Sequence, residues 1–228
     1  MKDKIIVKNV STSFGMLKVL DNISFTVKEN EFISIVDPSG CGKTTLLHLI
    51  QGFTKPTSGI IKTYGKKGFV FQDHNLFPWK TIKENIEIRN NSKNINHILK
   101  NIGLKPFSDY YPNQVSEGMK QRAGIGRCLV YNSDIILMDE PFGSLDYLTK
   151  LKVQEFLLKL WKKNRLTIVF VTHDIDEAIR LSDRMIVLSK LPAKILKIID
   201  VDKKKSEIIK KEVLDLIQND DDINKVNN

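Results

Sequence analysis

A compact strand pattern, Phe32-Ile33-Ser34-Ile35-Val36, with β-branched Ile33, Ile35 and Val36, passes without a linker into Asp37-Pro38-Ser39-Gly40-Cys41-Gly42-Lys43-Thr44-Thr45, and a helical pattern over residues 44–51 follows. A run of this kind suits a strand buried on both faces. Strand, glycine-containing turn and helix in that order form one βα unit and commit the chain to an α/β architecture. The turn matches the phosphate-binding pattern G-x-x-x-x-G-K-[ST] everywhere except at its first glycine, where Asp37 stands. Such a turn wraps phosphates with backbone N–H groups at a helix start, so Gly40 and Gly42 are expected to take a close, unusual backbone path. Ser39, Cys41 and Thr45 complete the expected loop. Lys43 is placed to neutralise β- and γ-phosphates, and the Thr44 hydroxyl to ligate Mg²⁺.

Short strand patterns recur at 5–10, 23–27, 60–63, 68–71, 134–138, 167–171 and 185–188, with helical patterns at 147–163 and 176–181. The later alternation predicts a mainly parallel sheet covered by helices. Between them, from about 73 to 123, the texture is helical with asparagine-rich breaks around 90–96. Beyond Lys203 the chain is charged. Ile208, Ile209, Val213, Leu216 and Ile217 are expected to line one face of a short helix, with residues 219–228 frayed. There is no internal repeat.

Two further segments carry chemistry. Ile135-Ile136-Leu137-Met138 is an apolar strand ending in Asp139 and Glu140. A strand end is the natural place for a metal-holding acid, Asp139, beside a water-polarising base, Glu140. Thr172-His173-Asp174 ends the next strand, so His173 is a candidate contact for a γ-phosphate or the attacking water. Strand-end acids and lone histidines are commonly only structural. The lysine-bearing loop upstream gives these their weight.

With these residues in place, the chain resembles the ATP-binding subunits of ABC transporters. Val115-Ser116-Glu117-Gly118-Met119-Lys120-Gln121-Arg122 is similar to the family signature, usually Leu-Ser-Gly-Gly-Gln. Gln72 resembles the Q-loop glutamine, Gly143-Ser144-Leu145-Asp146 the D-loop, His173 the switch histidine, and Phe14 the aromatic residue that stacks on adenine. The resemblance covers about residues 3–200. It implies a P-loop NTPase fold with a mainly parallel central sheet, an N-terminal antiparallel β subdomain and an inserted α-helical subdomain at about 73–125. The ATPase domain would then span 1–202, and the tail 203–228. It also implies ATP and Mg²⁺ as cofactors, with Thr44, Gln72 and Asp139 at the metal. Two ATPase subunits would pair head to tail, as a homodimer, so that Ser116 and Gly118 of one face the ATP of the other. Phe71-Gln72-Asp73-His74-Asn75-Leu76-Phe77-Pro78-Trp79, followed by Thr81 and Glu84-Asn85, is similar to the nitrate, sulfonate and taurine importer branch. The helical insert is then expected to dock a membrane permease, with an extracytoplasmic solute-binding protein as an indirect partner.

Composition agrees with a peripheral position at the cytoplasmic membrane face. No apolar stretch approaches the ~20 residues of a membrane-spanning helix, and the charged Met1-Lys2-Asp3-Lys4 gives no signal core. Cys41 and Cys128 lack metal-ligand spacing and read as reduced thiols. A formal charge of +9 is compatible with an anionic membrane surface, but the lysines are dispersed and not interleaved with aromatic residues. No nucleic-acid partner is therefore expected.

The chain departs from the family pattern twice, each time by gaining a carboxylate: Asp37 at the first loop glycine and Glu117 at the first signature glycine. A carboxylate about 6 Å from a phosphate charge, at an effective dielectric near 20, is repelled by roughly 3 kcal/mol. That corresponds to about a hundredfold in affinity. Asp37 could instead turn toward the Asp139 strand or hydrogen-bond within its own turn. The alternatives are a nucleotide-binding ABC subunit with slowed or lost hydrolysis, a soluble ABC ATPase of assembly or repair, and a small-molecule P-loop kinase. The last leaves the Ser116-to-Arg122 segment and His173 without a role.

Overall fold

The computed structural model describes residues 2–37, 42–88 and 94–226. In chain order these are β1 (Asp3–Phe14), β2 (Leu17–Lys28), β3 (Phe32–Val36), α1 (Lys43–Gln51), β4 (Ser58–Thr63) and β5 (Lys67–Val70). Helices α2 (Ile82–Ile86), α3 (Ile95–Asn101) and α4 (Glu117–Val130) follow, then β6 (Ile135–Asp139), α5 (Tyr147–Asn164) and β7 (Thr167–Thr172). The chain ends with α6 (Ile175–Leu181), β8 (Arg184–Leu188), β9 (Ile195–Asp200) and α7 (Ser206–Val226). Two compact units result, Met1–Tyr64 together with Thr167–Asn228, and Gly65–Leu166.

The first unit holds an antiparallel sheet, β2-β1-β4, and the strands β7-β3-β8-β9. Along β1 the buried residues are Ile5 and Val7, then Val10 and Thr12. The alternation skips a residue where the pairing register shifts between Val7 and Val10, and Asn9 there adopts a left-handed backbone, φ 52°. A bulge of this kind returns the apolar side chains to the same face. β3 pairs in parallel with both β7 and β8, and every residue of β3 and β7 is buried. The β-branched run thus becomes a parallel strand covered on both sides. Its one polar side chain, Ser34, is satisfied by the Ser182 hydroxyl at 2.9 Å. β9, an antiparallel partner of β8, has no counterpart in the sequence-predicted elements.

In the second unit β5 and β6 pair in parallel, and α2, α3 and α4 enclose a core containing Ile82, Ile86, Leu99, Ile102, Leu104 and Ala123. The helical texture expected from residue 73 begins later. Residues 72–75 form turns in which His74 (φ 58°) and Asn75 (φ 45°) are left-handed, and α2 starts only where Thr81 and Glu84 form a capping box. Burial pushes the Cys128 thiol up to about 12, which leaves it an inert core residue.

Two expectations for the tail need correction. The helix does not fray at residue 219 but continues to Val226, and Asp220 accepts a hydrogen bond from the Lys190 amide at 2.9 Å. Ile208 does not share the buried face. It is exposed, while Ile209 and Val213, one helical turn apart, are buried. No described helix is long and apolar enough to cross a membrane.

Candidate functional site

The parallel pairing of β3 with β7 sets Val36 against Thr172, so the chain leaves the sheet at Asp37 and at His173 side by side. Crevices at these carboxyl ends are where open α/β sheets bind ligands. Of the predicted loop, Ser39, Gly40 and Cys41 lie outside the described residues, as does Pro38. Gly42 has φ 103°, and a Cβ there would meet Val19 Cγ1 at 2.5 Å, so glycine is required both by backbone conformation and by space. It precedes α1, whose first turn (Lys43, Thr44, Thr45) contains no acidic residue. First-turn N–H groups lack intrahelical acceptors and favour an anion. Thr44 is exposed and Thr45 half-buried. Lys43 is buried and ion-paired with the buried carboxylate of Asp37. The hydrogen bond expected of Asp37 within its own turn is thus made, with Lys43 as the donor.

His173 is exposed on a turn fixed from both sides. The Thr172 hydroxyl donates to Glu177 at 2.7 Å and accepts from the Asp174 amide at 3.0 Å. Asp174 in turn caps α6 through the amides of Asp176 and Glu177. Phe14, in the β1–β2 hairpin opposite Leu17, is 54% exposed, which leaves ring surface for stacking.

In the second unit Val70 pairs with Met138, so Gln72 and Glu140 each follow that pair by two residues. They converge on Gly143: a Cβ there would lie 3.8 Å from Gln72 Nε2 and 3.9 Å from Glu140 Oε2. Asp139 closes β6 and is 9% exposed, whereas Glu140 is half-buried with a left-handed backbone, φ 41°. This conformation is uncommon for a residue with a side chain, and such strain collects at working sites. Asp146 caps α5 by accepting from the Thr149 amide at 3.1 Å, and Thr149 holds its carboxyl below the usual range.

Ser116 is exposed at the N-cap of α4 without a side-chain capping bond. Gly118 is buried, and a Cβ would meet Thr149 Cγ2 at 2.5 Å, so this glycine lets α4 pack on α5. What it can offer a ligand is its first-turn amide. Glu117 is not a loose negative charge. Lys120 Nζ lies 2.6 Å and His74 Nε2 3.1 Å from its carboxylate, and the Lys120 hydrogen bond is the main reason its carboxyl is held low. The pair ties the turn after Gln72 to the start of α4.

Asn85, noted in the sequence only within the importer-branch motif, and Arg127, which no motif marked, hold that turn. Asn85, fully buried, accepts from the Phe77 amide at 2.7 Å and donates to the carbonyls of Phe77 and Lys80. Arg127 donates to Asn85 Oδ1, to the Asn85 carbonyl and to the carbonyls of His74 and Asn75. Its guanidinium also sits 5.9 Å from the centre of the Phe77 ring. The available signal was a polar residue, Asn85, between Ile82 and Ile86 on a short helix. We expect Asn85→Ala to lower stability by roughly 3 kcal/mol, because several buried partners lose their hydrogen bonds. Urea denaturation reads the effect, and a loss below ~0.5 kcal/mol would contradict it.

The ABC transporter family model matches residues 20–143. The chain is 43% identical over 223 residues to the ABC transporter ATP-binding protein MJ0412 of Methanocaldococcus jannaschii, covering 89% of this chain and 84% of that protein. The chain belongs to the ABC transporter family. It is 41% identical over 207 residues to the aliphatic sulfonates import ATP-binding protein SsuB of Bacillus cereus, covering 85% of this chain and 82% of the relative. A solved relative, the ATP-binding cassette MJ0796 captured as a dimer in a post-hydrolysis state with ADP and Pi, superposes with a TM-score of 0.76 at 34% identity. That match covers 87% of this chain and 99% of the other. The chain is thus an ABC ATP-binding subunit and an ATPase, with the α/β fold of its cassette relatives and mostly parallel strands beside an antiparallel sheet.

Proposed function

We propose that this subunit energises a membrane importer for small sulfonates, aliphatic sulfonates and taurine among them, from the cytoplasmic face of a permease. The reading is supported by the parallel pairings that bring Asp37 beside His173 and Gln72 beside Glu140 at strand ends, in a chain 41% identical to a sulfonate-import ATPase. Lys43 and the first turn of α1 hold the β- and γ-phosphates, and Phe14 stacks on the adenine. Glu140 orients and deprotonates the attacking water, and His173 contacts the γ-phosphate. Thr44, Gln72 and Asp139 offer hard oxygen donors suited to Mg²⁺, which would supply charge neutralisation at the phosphates. Among the described residues no cluster of His, Cys, Asp or Glu forms an all-protein metal cage.

Two copies pair so that the exposed Ser116 and the α4 amides of one face the nucleotide of the other. The permease meets Phe77 and Trp79, 37% and 69% exposed on the turn that Asn85 and Arg127 lock. Fixed aromatic side chains make effective anchors. A solute-binding protein delivers substrate to the permease from the other side. Co-expression with a sulfonate-importer permease tests this. Detergent extraction should recover a complex, and membrane vesicles should accumulate labelled taurine or an alkanesulfonate only with internal ATP. A chain that stays monodisperse without a membrane partner, yet hydrolyses ATP, is instead a soluble ABC ATPase.

A further inference from the structure

The assignment of Lys43 to the phosphates leaves its buried ion pair with Asp37 unexplained. The Asp37 side chain has no exposed surface, and that of Lys43 only 6%. Asp37 directly follows β3, a strand whose five residues are all buried, so its backbone position is set by the sheet. Lys43 is likewise fixed, in the first turn of α1 behind the sterically required Gly42. An ammonium has three donors. It can keep its bond to Asp37 and still direct a donor outward, but its charge is then already matched by the carboxylate. A polyphosphate at Lys43 meets a partly neutralised lysine and a buried anion beside it.

We propose that Asp37 is a resident counter-anion of Lys43, holding the ammonium at the loop before nucleotide arrives and weakening each nucleotide according to its phosphate charge. The proposal rests on the nucleotide role of Lys43 given above. Asp37 acts through the lysine and on the field at the phosphates, so it is a positioning residue. The subunit remains an ATPase, with a weaker grip on ATP and ADP than a loop beginning with glycine would have. Product would leave readily, and occupancy would follow the ATP concentration.

The test is calorimetric titration of the full-length native protein and of Asp37→Asn, Asp37→Gly and Asp37→Glu with ATP, ADP and AMP at one salt concentration. Removing the carboxylate should tighten ATP about tenfold to a hundredfold, ADP less, and AMP by no more than about twofold. Asp37→Glu, which keeps the charge, should stay within a few-fold of native. Affinities unchanged or weakened in folded Asn and Gly variants would overturn the proposal. An equal gain for all three nucleotides would overturn it too, because that marks a change of shape rather than of charge. Should the neutral variants melt early, ATP must restore them, since its phosphates supply the missing counter-charge; failure of that rescue also overturns it. ATP binding by the native chain without a gain on neutralising Asp37 removes this inference alone. No ATP binding by any of the four proteins removes the nucleotide role of Lys43, and this inference with it.

Discussion

Glu140→Gln is expected to lower ATP turnover about 10²- to 10⁴-fold, the contribution typical of a positioned general base, while ATP binding is retained. The amide keeps the size and reach of the side chain but cannot take a proton from water. The effect belongs to Glu140 rather than Asp139 because of where the two carboxylates lie. Asp139 is 9% exposed at the end of β6. Glu140, one residue on, is half-buried and brings Oε2 to the same spot beside Gly143 as the Gln72 amide. Its left-handed backbone, φ 41°, turns the side chain out of the strand's alternation. Phosphate release at saturating ATP, beside equilibrium nucleotide binding, separates the two effects. With hydrolysis blocked, the proposed ATP-closed pair of subunits should accumulate and be seen by gel filtration. Turnover within a few-fold of native would remove Glu140 from the role of base.

The strands that precede the candidate residues in each unit were legible because they are buried on both faces. Residues 135–138 are a continuous apolar run and residues 32–36 are apolar but for Ser34, a pattern few other local structures accommodate. The loop lysine and the strand-end acids were read from the residues themselves, and the other candidate positions from the family resemblance. What could not be read depends on contacts distant in sequence. β9 is a half-exposed edge partner of β8, so Ile195, Ile198 and Ile199 lack the dense burial signal of the central strands. The extension of α7 to Val226 includes a bond from the Lys190 amide to Asp220, which no local pattern announces. The two added carboxylates show the same limit. From sequence, Glu117 is a charge facing a nucleotide; in the fold it is neutralised by Lys120 and linked to His74, 43 positions away. The sequence-level estimate of repulsion at Asp37 treated its carboxylate as isolated, whereas it is paired with the lysine expected to attract the phosphates.

That pairing gives Lys43→Ala two separable consequences. Loss of the ammonium removes a charge-assisted contact to phosphate, worth about 1.5–3 kcal/mol, or roughly one to two orders of magnitude in affinity. It also strands Asp37 inside the protein, and breaking one side of a buried pair costs about 3–5 kcal/mol. Lys43→Ala should therefore melt roughly 10 °C below native, taking 2–4 °C per kcal/mol for a chain of this size. The usual reading of a lysine variant in such a loop attributes everything to the nucleotide and predicts no change in the stability of the free protein. The double variant Asp37→Asn with Lys43→Met distinguishes the two, because it removes both charges and fills most of the lysine's volume with an apolar stem. Replacing both members of a buried pair is commonly neutral or stabilising. Thermal unfolding should then return most of the way to native while ATP binding stays lost. A Lys43→Ala protein as stable as native would mean that the Asp37 carboxylate finds equal support elsewhere in the turn. Recovery of stability without recovery of binding would show that one lysine serves two anions, the buried carboxylate and the incoming phosphates.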